Sequence, residues 1–234
     1  MSRVLCIPDS HLKTSVIERG MELANRLDAD KIILLGDYFD DWNAIPPEYV
    51  QMIECLEKAL KDERVIPLVG NHELSYLGFP CSGHLREVEF EVKDWLLNEK
   101  RLRFVYSEDG VLYSHAGVTS SWLAENRITE ANNVDEVSKA IDNLPHIRQF
   151  ATAGRMRGGN GTPSPLWADL TELIQDPIPI RQVVGHTPIS GIERIGNEYF
   201  ECWFTDVYSN GNISDEYLFV EDGEPKIIHY VKEI

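Results

Sequence analysis

Five short clusters of potential metal ligands occur along this chain, and each one directly follows a short hydrophobic run. Apolar runs that are rich in β-branched residues and bounded by Gly or Asp are typical of buried β-strands. In α/β sheets, ligands bind just beyond the carboxyl ends of the strands, so we expect the clusters to converge in space. The clusters are Asp9-Ser10-His11, Gly36 to Asp40, Gly70 to Glu73, His115 to Gly117 and Gly185 to Pro188.

The hydrophobic pattern predicts an α/β first half and a β-rich second half. Apolar residues at helical spacing predict helices at 16–27, 46–60 and 88–96. Gly and Pro punctuate the segment 119–181, which is therefore predicted to be an irregular insertion. An Asp-Gly turn at 109–110 predicts a hairpin, and later strands are predicted at 192–195, 199–205, 217–220 and 226–230. No linker divides the chain, so we expect one domain over residues 1–234, built as two packed sheets flanked by helices.

Composition and charge argue against several functions. The formal net charge of −17 disfavours a broad nucleic-acid-binding surface. No apolar stretch approaches the length of a membrane span, and no leader-like segment precedes the first predicted strand. The four cysteines form no CxxC pair, and we expect them to be reduced thiols. We therefore expect a cytoplasmic protein that does not associate with membranes; no oligomeric state is indicated.

The residue types in the clusters suit a pair of divalent metal ions. Asp9 and His11 stand two positions apart at a predicted strand end, so their side chains should leave on the same side and share one ion. Asp37 follows the next apolar run and could bridge this ion to a second one. Asn71, His115 and His186 supply neutral oxygen and nitrogen ligands.

This set of oxygen and nitrogen ligands contains no cysteine. It therefore favours manganese, iron, zinc or a similar divalent ion over a closed zinc–thiolate site. Two such ions about 3.5–4 Å apart suit phosphoester hydrolysis, because they activate a bridging water and clamp the phosphoryl oxygens.

The five clusters, in this order, resemble the motifs of the calcineurin-like metallophosphoesterase superfamily. They are closest to its phosphoprotein phosphatase branch, which includes bacteriophage-type serine/threonine phosphatases and bacterial symmetrical dinucleoside tetraphosphatases. The segment Ser164-Pro-Leu-Trp-Ala-Asp169 also resembles the tryptophan-containing segment of this branch. The resemblance implies an α/β fold in the form of a four-layer α/β/β/α sandwich, and an enzyme that hydrolyses phosphate esters.

The resemblance also implies roles for individual residues. His72 would be the general acid for the leaving oxygen and would be oriented by Asp40, since a carboxylate stabilises the imidazolium form. Asn71 would also lie where substrate binds. Manganese is the expected metal, with iron, zinc, nickel or magnesium as alternatives. The implied ligands are Asp9, His11 and Asp37 for the first ion, and Asp37, Asn71, His115 and His186 for the second.

One position departs from the pattern of the phosphatase branch. That branch usually carries a phosphate-clamping arginine directly after the aspartate that corresponds to Asp40, whereas this chain has Asp41. The segment after Trp167 lacks an arginine as well. Arg155 and Arg157, in a glycine-rich stretch, are the nearest replacements, and a guanidinium can bind two phosphoryl oxygens at once. We expect one of these two arginines to bind the substrate phosphate.

Three functions are compatible with these motifs. The leading hypothesis is a phosphomonoesterase that acts on a phosphorylated substrate, including phosphoserine or phosphothreonine in protein, without a covalent enzyme intermediate. A dinucleoside polyphosphate hydrolase or phosphodiesterase is the alternative. A non-catalytic scaffold is disfavoured, because such a protein would be expected to lose metal ligands or the proton donor, and this chain retains all of them.

Overall fold

A computed structural model describes residues 2–79, 81–129, 132–209 and 214–231. The strands are β1 (Arg3–Ile7), β2 (Lys31–Leu34), β3 (Val65–Pro67), β4 (Val105–Glu108), β5 (Val111–Ser114), β6 (Arg181–Val184), β7 (Glu193–Gly196), β8 (Glu201–Phe204), β9 (Glu216–Glu221) and β10 (Glu224–His229). The helices are α1 (Thr14–Arg26), α2 (Pro46–Ala59), α3 (Asn71–Ser75), α4 (Glu89–Asn98), α5 (Ser120–Glu125), α6 (Val134–Asp142) and α7 (Leu170–Gln175).

The strands form two five-stranded mixed sheets, ordered β10-β9-β1-β2-β3 and β4-β5-β6-β8-β7. In the first sheet β1, β2 and β3 run parallel, and in the second sheet β5, β6 and β8 do. In the first sheet β9 runs antiparallel to its neighbours β1 and β10, and in the second sheet β4 and β7 run antiparallel to β5 and β8. Each sheet therefore has three parallel strands whose carboxyl ends lie at one edge.

The two sheets pack face to face, and helices cover their outer faces. Successive side chains of a strand point to opposite faces of its sheet. In β5, Val111 and Tyr113 accordingly belong to the core shared with the first sheet, whereas Leu112 packs with Trp122 of α5 and Val137 of α6. Helix α1 packs on β1 and on α2, and α6 packs on β4 and β5. This arrangement confirms the predicted four-layer α/β/β/α sandwich.

The predicted hairpin and the first three predicted helices are present. Asp109 and Gly110 have φ values of 46° and 81°, which a two-residue hairpin turn of the primed type requires. Strand β3 ends at Pro67, before the end of the apolar run, and the next residue, Leu68, pairs with Arg103 in an isolated bridge.

The segment 119–181, where the sequence predicts irregular structure, contains α5, α6 and α7 and two short 3-10 helices. Side chains of Thr119, Asn133 and Asp169 accept hydrogen bonds from the first turns of these three α-helices. Such caps are what allow short helices to form between the glycines and prolines. Residues 130–131 of this segment, and the ends of the predicted domain at 1 and 232–234, lie outside the described residues. Within the described ranges, no helix combines the length and apolarity needed to cross a bilayer.

Candidate metal centre and active site

The loops after the parallel strands bring all the predicted metal ligands and the predicted proton donor to one edge of the sandwich. Six of the predicted residues line one cavity of about 330 Å³, and Asp9 and His115 are fully buried beside it. The cavity contains His11, Asp37, Asp40, Asn71, His72 and His186. The sequence-based expectation that scattered clusters meet in space is therefore met.

Asp37 lies between two groups of potential ligands. Its Oδ2 atom is 3.9 Å from Nε2 of His11 and 3.3 Å from Nε2 of His115. The same His115 nitrogen is 3.0 Å from Oδ1 of Asn71 and 3.2 Å from Nδ1 of His186. Two triads, each with ligand atoms within 4.8 Å of one another, contain this carboxylate: His11, Asp37 and His72, and Asp37, His115 and His186.

Two buried atoms of the cluster fit a cation. Oδ1 of Asp9 and Nε2 of His186 are buried and have no hydrogen-bond partner among the described residues. Burying an unpaired carboxylate oxygen is costly, and a metal ion would remove that cost. The backbone also leaves room for the acids, because a methyl group on Gly185 would collide with the Asp9 carboxylate, and one on Gly70 with that of Asp37. The donor set consists of carboxylate, amide and imidazole groups, as divalent ions of the manganese or iron type accept.

Without an ion, the buried acids and imidazoles perturb one another strongly. Burial and the nearby Asp206 raise the pKa of Asp9 well above its usual value. Burial disfavours the charged form of His115, but the negative charges of Asp37 and Asp9 outweigh the effect of burial. The pKa of His115 is therefore raised to about 9. Burial would raise the pKa of Asp37 too, yet His115 lowers it well below the usual range. Burial and the charge of His115 lower the pKa of His186. A divalent cation would replace the protons that this cluster otherwise retains.

The predicted proton donor and its partner are in contact. Nδ1 of His72 is 3.0 Å from Oδ2 of Asp40. The other oxygen of Asp40 accepts hydrogen bonds from the hydroxyls of Tyr49, at 2.8 Å, and Tyr76. Burial disfavours imidazolium, but Asp37 and Asp40 outweigh it and raise the pKa of His72 well above its usual value. The role of the two tyrosines could not be recognised in the sequence, because both occupy positions that also suit the apolar core.

The two candidate arginines differ in position. Arg157 lines the cavity, whereas Arg155 is exposed and is not part of the cavity wall. Nη2 of Arg157 lies 3.2 Å from Asp169 and donates hydrogen bonds to the His186 carbonyl at 3.3 Å and to Thr187 Oγ1 at 3.0 Å. Its Nε atom is buried and has no hydrogen-bond partner within the described part of the chain.

Lys13 is a second cation at the cavity, and it belongs to none of the sequence motifs. Its Nζ donates to the Tyr208 carbonyl at 2.9 Å and lies 3.7 Å from the Asp41 carboxylate. Lys13 thus partly offsets the acid that stands where the phosphatase branch has arginine. Asp206, which also lines the cavity, was missed too. Its position directly after a predicted strand is the signal that could have identified it.

Comparisons with known proteins identify a matching family model and similar folds. The family model described as calcineurin-like phosphoesterase matches residues 2–228. No curated protein matches the chain in sequence. A cold-active protein-tyrosine phosphatase from a psychrophilic Shewanella is similar in structure, with a TM-score of 0.62, 18% identity and coverage of 98% of this chain and 78% of that one.

Two further solved structures are similar. A protein serine/threonine phosphatase from Saccharomyces cerevisiae has a TM-score of 0.53 at 13% identity, over 100% of this chain and 81% of that one. A putative diadenosine tetraphosphatase has a TM-score of 0.52 at 16% identity, over 99% and 95% of the two chains. At these identities the similarity establishes a common fold.

Proposed function

The chain belongs to the calcineurin-like phosphoesterases, a family of phosphohydrolases with a dimetal centre, and we propose that this member hydrolyses phosphomonoesters. The observation that carries the proposal is the buried Nε of Arg157 at the cavity, which has no hydrogen-bond partner among the described residues. A monoester dianion carries more charge than a diester and needs more positive charge around it. Arg157 and Lys13 supply that charge in addition to the metal ions.

We assign the metal ligands as the family motifs imply. When bound, a pair of divalent ions supplies an activated water and neutralises charge on the phosphoryl oxygens. Manganese is the proposed metal, because carboxylate, amide and imidazole groups make up the donor set. Asp9, His11 and Asp37 would hold one ion, and Asp37, Asn71, His115 and His186 would hold the other.

His72 donates a proton to the leaving oxygen. The contact between its Nδ1 and Asp40 leaves Nε2 as the nitrogen that can face the substrate. Tyr49 and Tyr76 hold the other oxygen of Asp40, so this carboxylate orients the imidazole ring. General acid catalysis of this kind contributes about 10²–10⁴-fold to rate. Asn71, at the cavity wall, is placed to contact the phosphoryl group.

Dinucleoside polyphosphate hydrolysis remains the second candidate, and Trp42 is the observation in its favour. Trp42 lines the cavity, and its side chain is 76% exposed. An exposed indole at the mouth of a phosphate site offers a surface on which a nucleobase can stack.

A panel of substrates separates the candidates. We expect the manganese-loaded protein to show a higher kcat/KM on p-nitrophenyl phosphate and a phosphopeptide than on bis-p-nitrophenyl phosphate and diadenosine tetraphosphate. Trp42→Ala should leave that order unchanged. A preference for diadenosine tetraphosphate that Trp42→Ala abolishes would establish the second candidate instead. Metal-loaded protein that hydrolyses none of the four would favour a scaffold.

A further inference from the structure

His72 has a second neighbour besides Asp40. Sγ of Cys81 lies 3.6 Å from Nδ1 of His72, the nitrogen that is also 3.0 Å from Oδ2 of Asp40. The carboxylate, imidazole and thiol of these three residues offer ligand atoms that all lie within 4.8 Å of one another. This triad contains a sulfur ligand, whereas the ligands that we assign to the dimetal centre are oxygen and nitrogen atoms.

We propose that Asp40, His72 and Cys81 form a third metal site, at which a thiophilic divalent cation such as zinc binds and inhibits the enzyme. Binding at this site depends only on the three side chains. The inhibitory consequence rests on the function proposed above, in which His72 is the proton donor.

The spacing of the three groups suits tetrahedral zinc. Zinc binds imidazole nitrogen at about 2.0 Å and thiolate sulfur at about 2.3 Å, which places the two ligand atoms about 3.5 Å apart. The observed separation of His72 Nδ1 and Cys81 Sγ is 3.6 Å. Two tetrahedral nitrogen or oxygen ligands lie about 3.3 Å apart, and the separation of His72 Nδ1 and Asp40 Oδ2 is 3.0 Å. The ligand atoms of Asp40 and Cys81 lie within 4.8 Å of each other, so small movements of the side chains would complete three ligands and leave the fourth position to water.

The loop that carries Cys81 packs directly over the other two ligands. A methyl group on Gly83 would lie 3.4 Å from Cβ of Asp40 and 3.6 Å from Cε1 of His72. This close packing holds the thiol beside the imidazole. Cys81 is half-buried, so an ion can reach the thiol from solvent.

The two kinds of site should select different metals. Thiolate is a soft ligand that favours zinc, whereas manganese prefers carboxylate and other oxygen ligands. Binding at the third site requires the Cys81 thiolate and a deprotonated Nδ1 of His72, so the thiol proton and the Nδ1 proton are both released to solvent.

A metal on Nδ1 would weaken His72 as an acid. The ring would then carry one N–H, on Nε2, and donating that proton would leave an imidazolate anion. Free imidazolium leaves neutral imidazole, so the metal-bound ring is the poorer donor. Esters with poor leaving groups depend most on proton donation and should therefore lose the most rate.

Zinc titration of the manganese-loaded protein tests the inhibitory site. The substrate is a phosphoserine peptide, whose alkoxide is a poor leaving group, and the rate of its hydrolysis is measured. We expect zinc to inhibit the unaltered protein, and Cys81→Ser to keep its basal activity while needing on the order of tenfold more zinc. Cys55→Ser is the matched control, because that thiol faces the Thr14 carbonyl instead. It should retain the zinc sensitivity of the unaltered protein.

Cobalt provides a readout that does not depend on activity. The unaltered protein and Cys55→Ser should show a near-ultraviolet cobalt–thiolate absorption band on cobalt addition, and Cys81→Ser should lack it. Equal zinc sensitivity of all three proteins together with no cobalt–thiolate band would overturn the site. A cobalt band that requires Cys81, with zinc sensitivity unchanged in Cys81→Ser, would support the metal site and overturn its inhibitory role. Failure of the phosphomonoesterase proposal alone would leave the cobalt result intact.

Discussion

The backbone N–H of Asp37 donates a 2.8 Å hydrogen bond to Oε2 of the fully buried Glu73. The same oxygen accepts from the Gly70 N–H at 2.7 Å, and Oε1 accepts from the Tyr38 N–H at 2.9 Å. One carboxylate thus joins the loops that follow β2 and β3. Asp37 has a φ of 50°, which is uncommon outside glycine, and such a conformation persists where its surroundings enforce it.

Glu73→Gln should therefore destabilise the protein and disturb the metal centre. An amide NH₂ cannot accept from the backbone N–H groups, and leaving them unpaired in the interior should cost about 1–3 kcal/mol. Chemical denaturation measures the loss of stability, and the manganese content measures the disturbance of the metal centre. Glu48→Gln is the control, because Glu48 accepts from the Ile45 N–H at 2.8 Å on the surface. Equal losses of stability in the two variants would contradict the structural role of Glu73.

Asp37→Asn should lower the occupancy of at least one metal ion and remove most activity. The reason is that Asp37 is the carboxylate common to the two ligand triads. Asp41→Asn makes the same chemical change elsewhere on the cavity wall and should leave the metal content unchanged. Elemental analysis measures the occupancy. Full metal content with normal turnover in Asp37→Asn would exclude a bridging role.

Metal binding should release protons, and its affinity should rise with pH. The pKa of His115 is raised to about 9 by Asp37 and Asp9 against the effect of burial, so this imidazole is protonated at pH 7 in the metal-free protein. A metal ligand must be neutral imidazole, and the ion must therefore displace the proton. Between pH 7 and about 9, affinity should increase by up to about tenfold per pH unit for each displaced proton.

Calorimetry in two buffers of different ionisation enthalpy measures the number of protons released. At least one proton per protein is expected at pH 7. An identical apparent enthalpy in both buffers would show that no proton is displaced.

The convergence of the candidate metal ligands could be predicted from the sequence because each one lies in the segment that follows a parallel strand. The alternation of side chains along a strand nevertheless does not explain how the side chain of His11 is directed into the site. Strand β1 ends at Ile7, and His11 has a φ of 40°, so a turn rather than a strand directs its side chain. Turn conformations of this kind depend on tertiary partners, here the 2.9 Å hydrogen bond from the His11 N–H to the Asp37 carbonyl.

The choice between Arg155 and Arg157 could not be predicted from the sequence. The two side chains stand two residues apart in a 3-10 helix, and only the packing of that helix against the loop at His186 and Thr187 decides which one faces the cavity. Glu73 was visible as part of the cluster that begins at Gly70. Its role required knowing that two loops meet, which is long-range information.

His72→Ala should leave both metal ions bound and slow hydrolysis of esters with poor leaving groups by about 10²–10⁴-fold. Activated aryl phosphates need less protonation of the leaving oxygen and should lose less rate. His84→Ala is the control, because His84 stacks on Tyr76 nearby and hydrogen-bonds Ser75. A plot of rate against leaving-group pKa measures the difference. Equal losses across the series would indicate that His72 positions the phosphate and does not donate a proton.

Arg157→Ala should reduce kcat/KM on phosphomonoesters more than on phosphodiesters, whereas Arg155→Ala should affect neither. The physical reason is that the Arg157 guanidinium lies in the cavity with its Nε free of a described partner, while Arg155 is exposed outside it. Arg157→Lys should recover little of the lost kcat/KM on phosphomonoesters, because an ammonium cannot bind two phosphoryl oxygens in one plane. Asp41→Arg should raise monoester efficiency relative to diester efficiency, since it replaces a nearby negative charge with a positive one.

A purely structural role for Arg157 predicts a different result. Arg157 also donates to the His186 carbonyl and pairs with Asp169, so its loss could displace a metal ligand. In that case monoesters and diesters would lose rate equally, and the manganese content would fall. Measuring both kinetics and metal content on the same preparation of Arg157→Ala therefore separates a phosphate clamp from a support for His186. Unchanged monoester kinetics in the Arg155→Ala, Arg157→Ala double variant would reject the clamp outright and favour the dinucleotide alternative.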